Sequence, residues 1–392
     1  MKKIPRIINS ILDCDLYKFT MMNAIIKLFP RVKVRYEFIL RSKVDFPDGF
    51  ADQLRAQVQM MADLALTKEE CQAFQEKSGR YLDPAFFIFL LGFRYKPENV
   101  GIIQKGGELF LTVEGYWSEI ILWEISLMAT VSELYFLMTG SPIKTRNERK
   151  DNNIKKAQFF HLNEHKLNEF GTRRRYSYAI QDEVINDFVD FSKLFKFGTS
   201  NVHFALKYNL PVMGTHAHEW FMFMGAKYGF QSANTMGLGK WVDVYNGDLG
   251  IALSDTYTSD VFLKSFDLFH AKLFDGVRHD SGDPVVFGQK IIAHYEKLGI
   301  DPTTKTIVFS DSLNMEVVAN IAKAIRNIRR IYGIGTFLTN DVGVPALNMV
   351  IKMVAVNFDG TWVNTVKLSD NPGKHTGNID TVNLCKQTLN II

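Results

Sequence analysis

The sequence predicts an α/β protein with a large α/β domain and a smaller α+β part. Three observations predict it. From about residue 165, short apolar runs alternate with amphipathic segments of helix length, which is the pattern of a parallel sheet or barrel. The first third instead holds period-two strands and a hairpin signal ahead of a long apolar helix. The chain has 392 residues, 46% hydrophobic and 13% aromatic, enough for a sizeable core and more than one small domain.

The elements follow in order. VKVRYEF (32–38) alternates apolar and charged residues, as a half-buried strand does. GIIQKGGELFLTV (101–113) reads as a hairpin turning at Gly106-Gly107. The apolar stretch 120–138 carries Glu124 and Glu133, which suits a core helix better than a membrane span. KTRNERKDNNIKKA (144–157) reads as a solvated helix or connector. Later strand ends are expected in KLNEFGTRRR (166–175), LFKFGTSN (194–201), LPVMGTHAHEW (210–220), LGIALSDT (249–256), LFDGVRHDSGD (273–283), KTIVFSDSLN (305–314) and RIYGIGTFLTN (330–340). In 283–299, Val285, Ile291, Ile292, Tyr295 and Leu298 suit one helix stripe. The tail 348–370 reads as a hairpin turning at Asp359-Gly360, and NPGKH (371–375) as a tight basic turn. This tail is expected to rejoin the N-terminal sheet.

The strand ends carry the chemistry. They close in Gly-Thr, Ser-Asp or Arg-His-Asp. Glycine lets the backbone approach a ligand, and hydroxyls and N–H groups at helix starts bind anions. One such end is explained by turn and cap chemistry, but several together point to phosphates in one bowl. Net charge is only +4, which fits small anionic substrates better than nucleic acid. Three separated cysteines suit free thiols in a reducing compartment, and the start is a poor signal peptide, so a cytoplasmic protein without a membrane segment is expected. No P-loop, HExxH or Gly-x-Ser-x-Gly sequence is present.

Two constellations stand out. Arg278, Asp280 and Asp283 surround a Ser-Gly turn, where arginine forks onto phosphate and carboxylates hold Mg²⁺ or sugar hydroxyls. The plainer alternative is a capped helix start with an ion pair. His216 and His218 stand two apart ahead of Glu219. They suit a zinc clamp only if further strand-end ligands exist, and His279 alone qualifies. A single nucleophilic histidine among phosphate sites, its tautomer fixed by Glu219, is the stronger reading. Of the three arginines in EFGTRRR, one or two are expected to act and the rest to be solvated. A zinc-dependent barrel hydrolase and a non-catalytic nucleotide binder remain as rivals.

The motifs LDCDLYKFTMMNA, WSEIILWEISLMATVSE, FGTRRR, FGTSNV, GTHAHEWF, RHDSGDP, HYEKLGIDP, VFSDSLN, GIGTFLTND and KLSDNPGK run in order from about residue 10 to about 375. Together they resemble bacterial nicotinate phosphoribosyltransferases. The resemblance implies an irregular α/β barrel of the type II phosphoribosyltransferases with an N-terminal α+β domain. It places that domain at 1–140, completed by 350–392, and the barrel at 141–349. It also implies a homodimer that makes nicotinate mononucleotide and pyrophosphate from nicotinate and phosphoribosyl pyrophosphate with Mg²⁺. ATP hydrolysis is coupled, ligase-fashion, through a phosphohistidine, in NAD biosynthesis by salvage.

By the same resemblance His218 is the phosphorylated residue, with Glu219 its partner, and His216 has no essential role. Tyr17 and Phe170 sandwich the pyridine ring, the tyrosine coming from the other subunit. Arg173 and Thr215 contact nicotinate or phosphate, Arg278 and Asp280 the phosphoribosyl group, and Gly335 and Thr336 the 5′-phosphate. Ser200 stands where the related nicotinamide enzymes carry aspartate, so its hydroxyl can donate to a carboxylate and nicotinate is the expected substrate.

Overall fold

The computed structural model describes residues 4–191, 195–371 and 374–391. Leu194 of the LFKFGTSN motif and Pro372-Gly373 of the basic turn lie outside the described residues. The fold is mixed α/β, with antiparallel and parallel sheet. It divides into two compact units, residues 1–214 with 334–352 and residues 215–333 with 353–392.

In the first unit, helix α1 (Leu16–Leu28) precedes strand β1 (Lys33–Leu40). Val34 and Tyr36 of β1 are buried between exposed Lys33 and Glu37, as the alternation required. Strands β2 (Val100–Lys105) and β3 (Glu108–Tyr116) form the expected hairpin, with Gly106 at φ 57° in its two-residue turn. β3 also pairs with β1, giving an antiparallel β1-β3-β2 sheet. The tail's Asn348 joins this unit by accepting from the backbone N–H of Arg41 at its carbonyl and donating its own N–H to the Ser42 hydroxyl oxygen.

The apolar stretch folds as a short turn, Trp117–Ile120, and helix α2 (Trp123–Thr139). It has the length and hydropathy to cross a membrane, but 83% of it is buried within the fold, so it is a core helix. Its Glu124 is neutralised by Lys18 at 2.5 Å, which answers the cost of burying a carboxylate. The charged run is helix α3 (Arg146–Leu162), opened by a Thr145–Glu148 capping box. It is less solvated than expected: Asn153, Lys156, Ala157 and Phe160 are buried. Arg146 forks onto Asp187, and Arg149 onto Glu183, both on helix α4 (Tyr178–Val189). Strands β4 (Lys166–Glu169) and β5 (Phe197–Thr199) pair in parallel.

The second unit holds parallel strands β6 (Ile251–Leu253), β7 (Gly276–His279), β8 (Thr306–Phe309) and β9 (Arg329–Ile334), hydrogen-bonded in that order. Helix α5 (His218–Tyr228) and helix α6 (Ala233–Tyr245) precede β6. Helix α7 (Pro284–Lys297) follows β7 and buries Phe287, Gly288, Ile291 and Tyr295. The stripe is therefore rotated from the expected one, with Val285, Ile292 and Leu298 only half-buried. Gly288 lies on the buried face, where a Cβ would meet the Ile325 side chain at 2.8 Å, so the helix packs closely there. Strands β10 (Met349–Phe358) and β11 (Thr361–Asn364) form the second hairpin. Asp359 and Gly360, at φ 50° and 95°, supply the two left-handed positions a two-residue turn needs.

Candidate active site

In the first unit four loops are tied to one another. The N–H of Leu16, at the start of α1, donates to Ser200 O at 2.7 Å, and the N–H of Ser200 to Glu169 O at 2.9 Å. The N–H of Phe170 donates to Ile334 O at 2.8 Å. Tyr17, Phe170, Arg173, Ser200, Gly335 and Thr336 thus sit on segments held together by backbone bonds. Glycines allow the approach: a Cβ on Gly171 would lie 2.1 Å from Thr339 Oγ1, and one on Gly214 would lie 3.0 Å from Tyr17 N.

Beneath these loops lies a layer of buried charge. Arg175 is fully buried and forks onto Asp13 with two bonds of 2.8 Å. Burial works against the Asp13 charge, yet Arg175 holds its carboxyl below the usual range. Arg174 donates to Met349 O at 2.8 Å, and Arg173 is half-buried with Nη1 3.8 Å from Glu124. The three arginines diverge as expected, but Arg175 is not solvated: it belongs to the core. Ser200 Oγ donates to Asp15 Oδ1 at 2.7 Å, so its proton already has an acceptor. Burial raises the Asp15 carboxyl.

Glu169, the residue before Phe170, was not singled out from sequence. Its buried carboxylate accepts from Gly171 N–H, from Thr199 Oγ1 at 2.7 Å and from Gln181 Nε2 at 3.1 Å. Burial pushes it up to about 7 against these bonds. It links the loop carrying Phe170 and Arg173 to the loop carrying Ser200.

The second unit holds a separate group. His216 and His218 are not a pair. His216 Nε2 accepts from Leu253 N–H at 3.1 Å, and its ring sits edge-on to Phe221 and Trp241. Burial keeps it neutral, well below the usual histidine range. His218 opens α5 and is 5% exposed, and its ring meets other groups. Nδ1 lies 3.1 Å from Thr256 Oγ1; Nε2 lies 2.9 Å from Asp280 Oδ2, 2.9 Å from Lys367 Nζ and 3.7 Å from Asp255 Oδ1. Glu219, also buried, is not among the ring's hydrogen-bond partners; the adjacent position in sequence points it elsewhere on the helix.

A neutral imidazole meets only one of the two partners at Nε2 at a time. It offers N–H to Asp280 or a lone pair to Lys367. The Thr256 hydroxyl satisfies Nδ1 in either tautomer, because it both donates and accepts. Burial, then Lys367, pushes the ring down to about 4, so it is uncharged at neutral pH and keeps a lone pair. Burial opposes the charge on Asp280, but Arg278, His218 and Lys367 hold it well below the usual carboxylate range. Ser310 Oγ donates to its other oxygen at 2.9 Å. Thr215 donates to Ile251 O at 2.9 Å. Asp283 is the N-cap of α7, accepting from the N–H groups of Val285 and Val286.

His218, Asp255 and Asp280 place one ligand atom each within 4.8 Å of one another, the donor set of a metal site. The ammonium of Lys367, 2.9 Å from the imidazole and 3.5 Å from Asp255, already supplies a cation there. These residues therefore do not fit a resident Mg²⁺, and the two-histidine zinc clamp is not formed among the described residues.

An uncharged buried imidazole, flanked by carboxylates and an ammonium at the ends of parallel strands, is the equipment of an α/β enzyme that handles phosphate-bearing substrates. The relatives narrow this class. Residues 165–391 match the model of the nicotinate phosphoribosyltransferase (NAPRTase) family, and residues 12–132 match its N-terminal domain. The chain is 49% identical over 390 residues to the nicotinate phosphoribosyltransferase of Chromohalobacter salexigens, covering 97% of this chain and 98% of that one. It is 42% identical to that of Methanosarcina mazei, covering 95% and 96%. Among solved structures, nicotinate phosphoribosyltransferase from Porphyromonas gingivalis superposes with a TM-score of 0.94 at 41% identity, covering 98% of this chain and 100% of that one. The Vibrio cholerae structure gives 0.90 at 33% identity, covering 98% and 95%. The chain belongs to the nicotinate phosphoribosyltransferase family.

Proposed function

We propose that this chain is a nicotinate phosphoribosyltransferase of NAD salvage, coupled to ATP hydrolysis through a phosphohistidine at His218. Family membership supports the transfer, and the His218 geometry carries the coupling: the ring is buried, uncharged and faced by both carboxylate and ammonium.

In the transfer, the pyridine nitrogen of nicotinate attacks the anomeric carbon of phosphoribosyl pyrophosphate. The bond to pyrophosphate breaks, and pyrophosphate leaves with the electron pair. Positive charge builds on the ribose, and Asp280, held ionised, is the group to face it. Arg278 is the fork for the phosphoribosyl phosphates. Tyr17 and Phe170 take the ring, Arg173 and Thr215 its carboxylate or a phosphate, and Gly335 and Thr336 the 5′-phosphate. Ser200 favours nicotinate over nicotinamide, with its hydroxyl turned from Asp15 to the substrate. Mg²⁺ carried on the substrate phosphates, rather than held by these residues, would supply charge neutralisation there. In the coupled step a His218 lone pair displaces ADP from the terminal phosphorus of ATP, and water later releases phosphate. That cycle helps only by changing the relative energies of bound states. We further propose a cytoplasmic homodimer.

The test is to incubate the purified chain with nicotinate, phosphoribosyl pyrophosphate, Mg²⁺ and ATP. Nicotinate mononucleotide and pyrophosphate should form, faster with ATP than without. No product would favour a binding protein on the same scaffold.

A further inference from the structure

Lys367 lies in the segment after β11, 149 residues from His218 in sequence. It is 9% exposed, and its backbone is fixed on both sides. Lys367 exchanges two backbone bonds with Thr376, and the N–H of Leu368 donates to Thr256 O at 2.7 Å. Thr256 is the residue whose hydroxyl meets His218 Nδ1, so one loop sets the positions of both the ring and the ammonium. Asp255 supplies a second observation: its Oδ1 is buried without a hydrogen-bond partner, while its Oδ2 accepts from Ser281 Oγ at 2.6 Å. A buried orphan carboxylate oxygen beside an imidazole asks for a cation. The ammonium of Lys367 is the cation the chain provides to this carboxylate, 3.5 Å from Oδ2 rather than at Oδ1.

We propose that Lys367 is a catalytic residue that takes the place of a metal ion among His218, Asp255 and Asp280 and passes from the imidazole to the oxygens of a phosphoryl group arriving at His218. The proposal rests on the phosphohistidine reading above. In the step, a lone pair of the ring forms the N–P bond. The P–O bond to ADP breaks, and its electron pair leaves on ADP. Lys367 keeps its protons and only its hydrogen bond moves. Without it, a phosphoryl dianion would be set beside two carboxylates. Lysine suits this task because its ammonium is a compact point charge on a flexible stem.

Two readouts on Lys367→Met test this, one of them independent of ATP. First, labelling of the protein by terminally labelled ATP should be lost, and Lys367→Arg should restore part of it by keeping the cation. Second, the vacated donor set should gain a divalent ion: the Met variant should bind Mn²⁺ or Zn²⁺ at one site at least about tenfold tighter than the parent chain. A merely structural role for Lys367 would not create a metal site. Lys367→Gln, closer in shape, serves both readouts should the Met variant fail to fold. Labelling of either variant at the parent rate would overturn the catalytic role, and equal metal affinity of parent and variant would overturn the placement of the cation. Absence of label in the parent chain would overturn the phosphohistidine reading and the catalytic role with it, and the metal comparison then decides the placement alone.

Discussion

Glu169→Gln changes one fully buried group and nothing in its shape. The parent carboxyl titrates at about 7 in the fold against 4.5 when free, and burial is the main cause. Below pH 4.5 both folded and unfolded chains carry the proton. Between 4.5 and about 7 only the folded chain carries it, and above about 7 neither does. A raised pKa therefore gives stability that is complete below the unfolded value and is lost as pH rises through the folded one. Integrated from pH 5 to pH 8, this group's contribution falls by about 2.5 kcal/mol. Glutamine does not titrate, and its altered hydrogen bond to Gly171, Thr199 or Gln181 is a constant offset. The stability of the parent relative to the variant should thus be about 2.5 kcal/mol greater at pH 5 than at pH 8, roughly 3 °C in Tm for a chain of 392 residues. Thermal unfolding of both proteins across that range measures it. A difference constant to within about 0.5 kcal/mol would refute the reasoning, because the carboxyl would then titrate alike in both states. Nicotinate KM should rise in the variant more than kcat falls, since Glu169 ties the Phe170 loop to the Ser200 loop.

Asp13→Asn removes the charge facing a fully buried arginine and should cost about 3–5 kcal/mol by denaturant unfolding. Gly171→Ala drives a methyl into Thr339 and should cost about 1–3 kcal/mol while raising nicotinate KM through displacement of Phe170. Nicotinate should be turned over in strong preference to nicotinamide; near-equal turnover would count against the role given to Ser200.

What was legible in the sequence was local. Both hairpins, at Gly106-Gly107 and at Asp359-Gly360, follow from residues that accept positive φ beside alternating strands. The α/β alternation follows from period, and the strand-end glycines and hydroxyls mark where loops meet. That His216 and His218 are not an equivalent pair was also readable, because zinc partners were missing from the later strand ends, and the two rings do have different partners. What stayed hidden depends on contacts between distant residues. Arg175 meets Asp13 across 162 positions, and Lys367 meets His218 across 149. No period announces such pairs. Glu219 was chosen as the histidine's partner because it is adjacent in sequence, but consecutive helical residues diverge by about 100°, and Asp280 comes instead from the end of β7. Glu169 was overlooked because its neighbours Phe170 and Arg173 carry the recognisable chemistry, while its own work is to hold loops together.

The central claim is that His218 carries a phosphoryl group during coupling. Incubation with terminally labelled ATP, followed by acid and base treatment and peptide mapping, tests it directly. The label should be acid-labile, base-stable and located on His218, and His218→Asn should abolish both the label and the acceleration by ATP. Label retained in the Asn variant would contradict the account and move the acceptor to another residue.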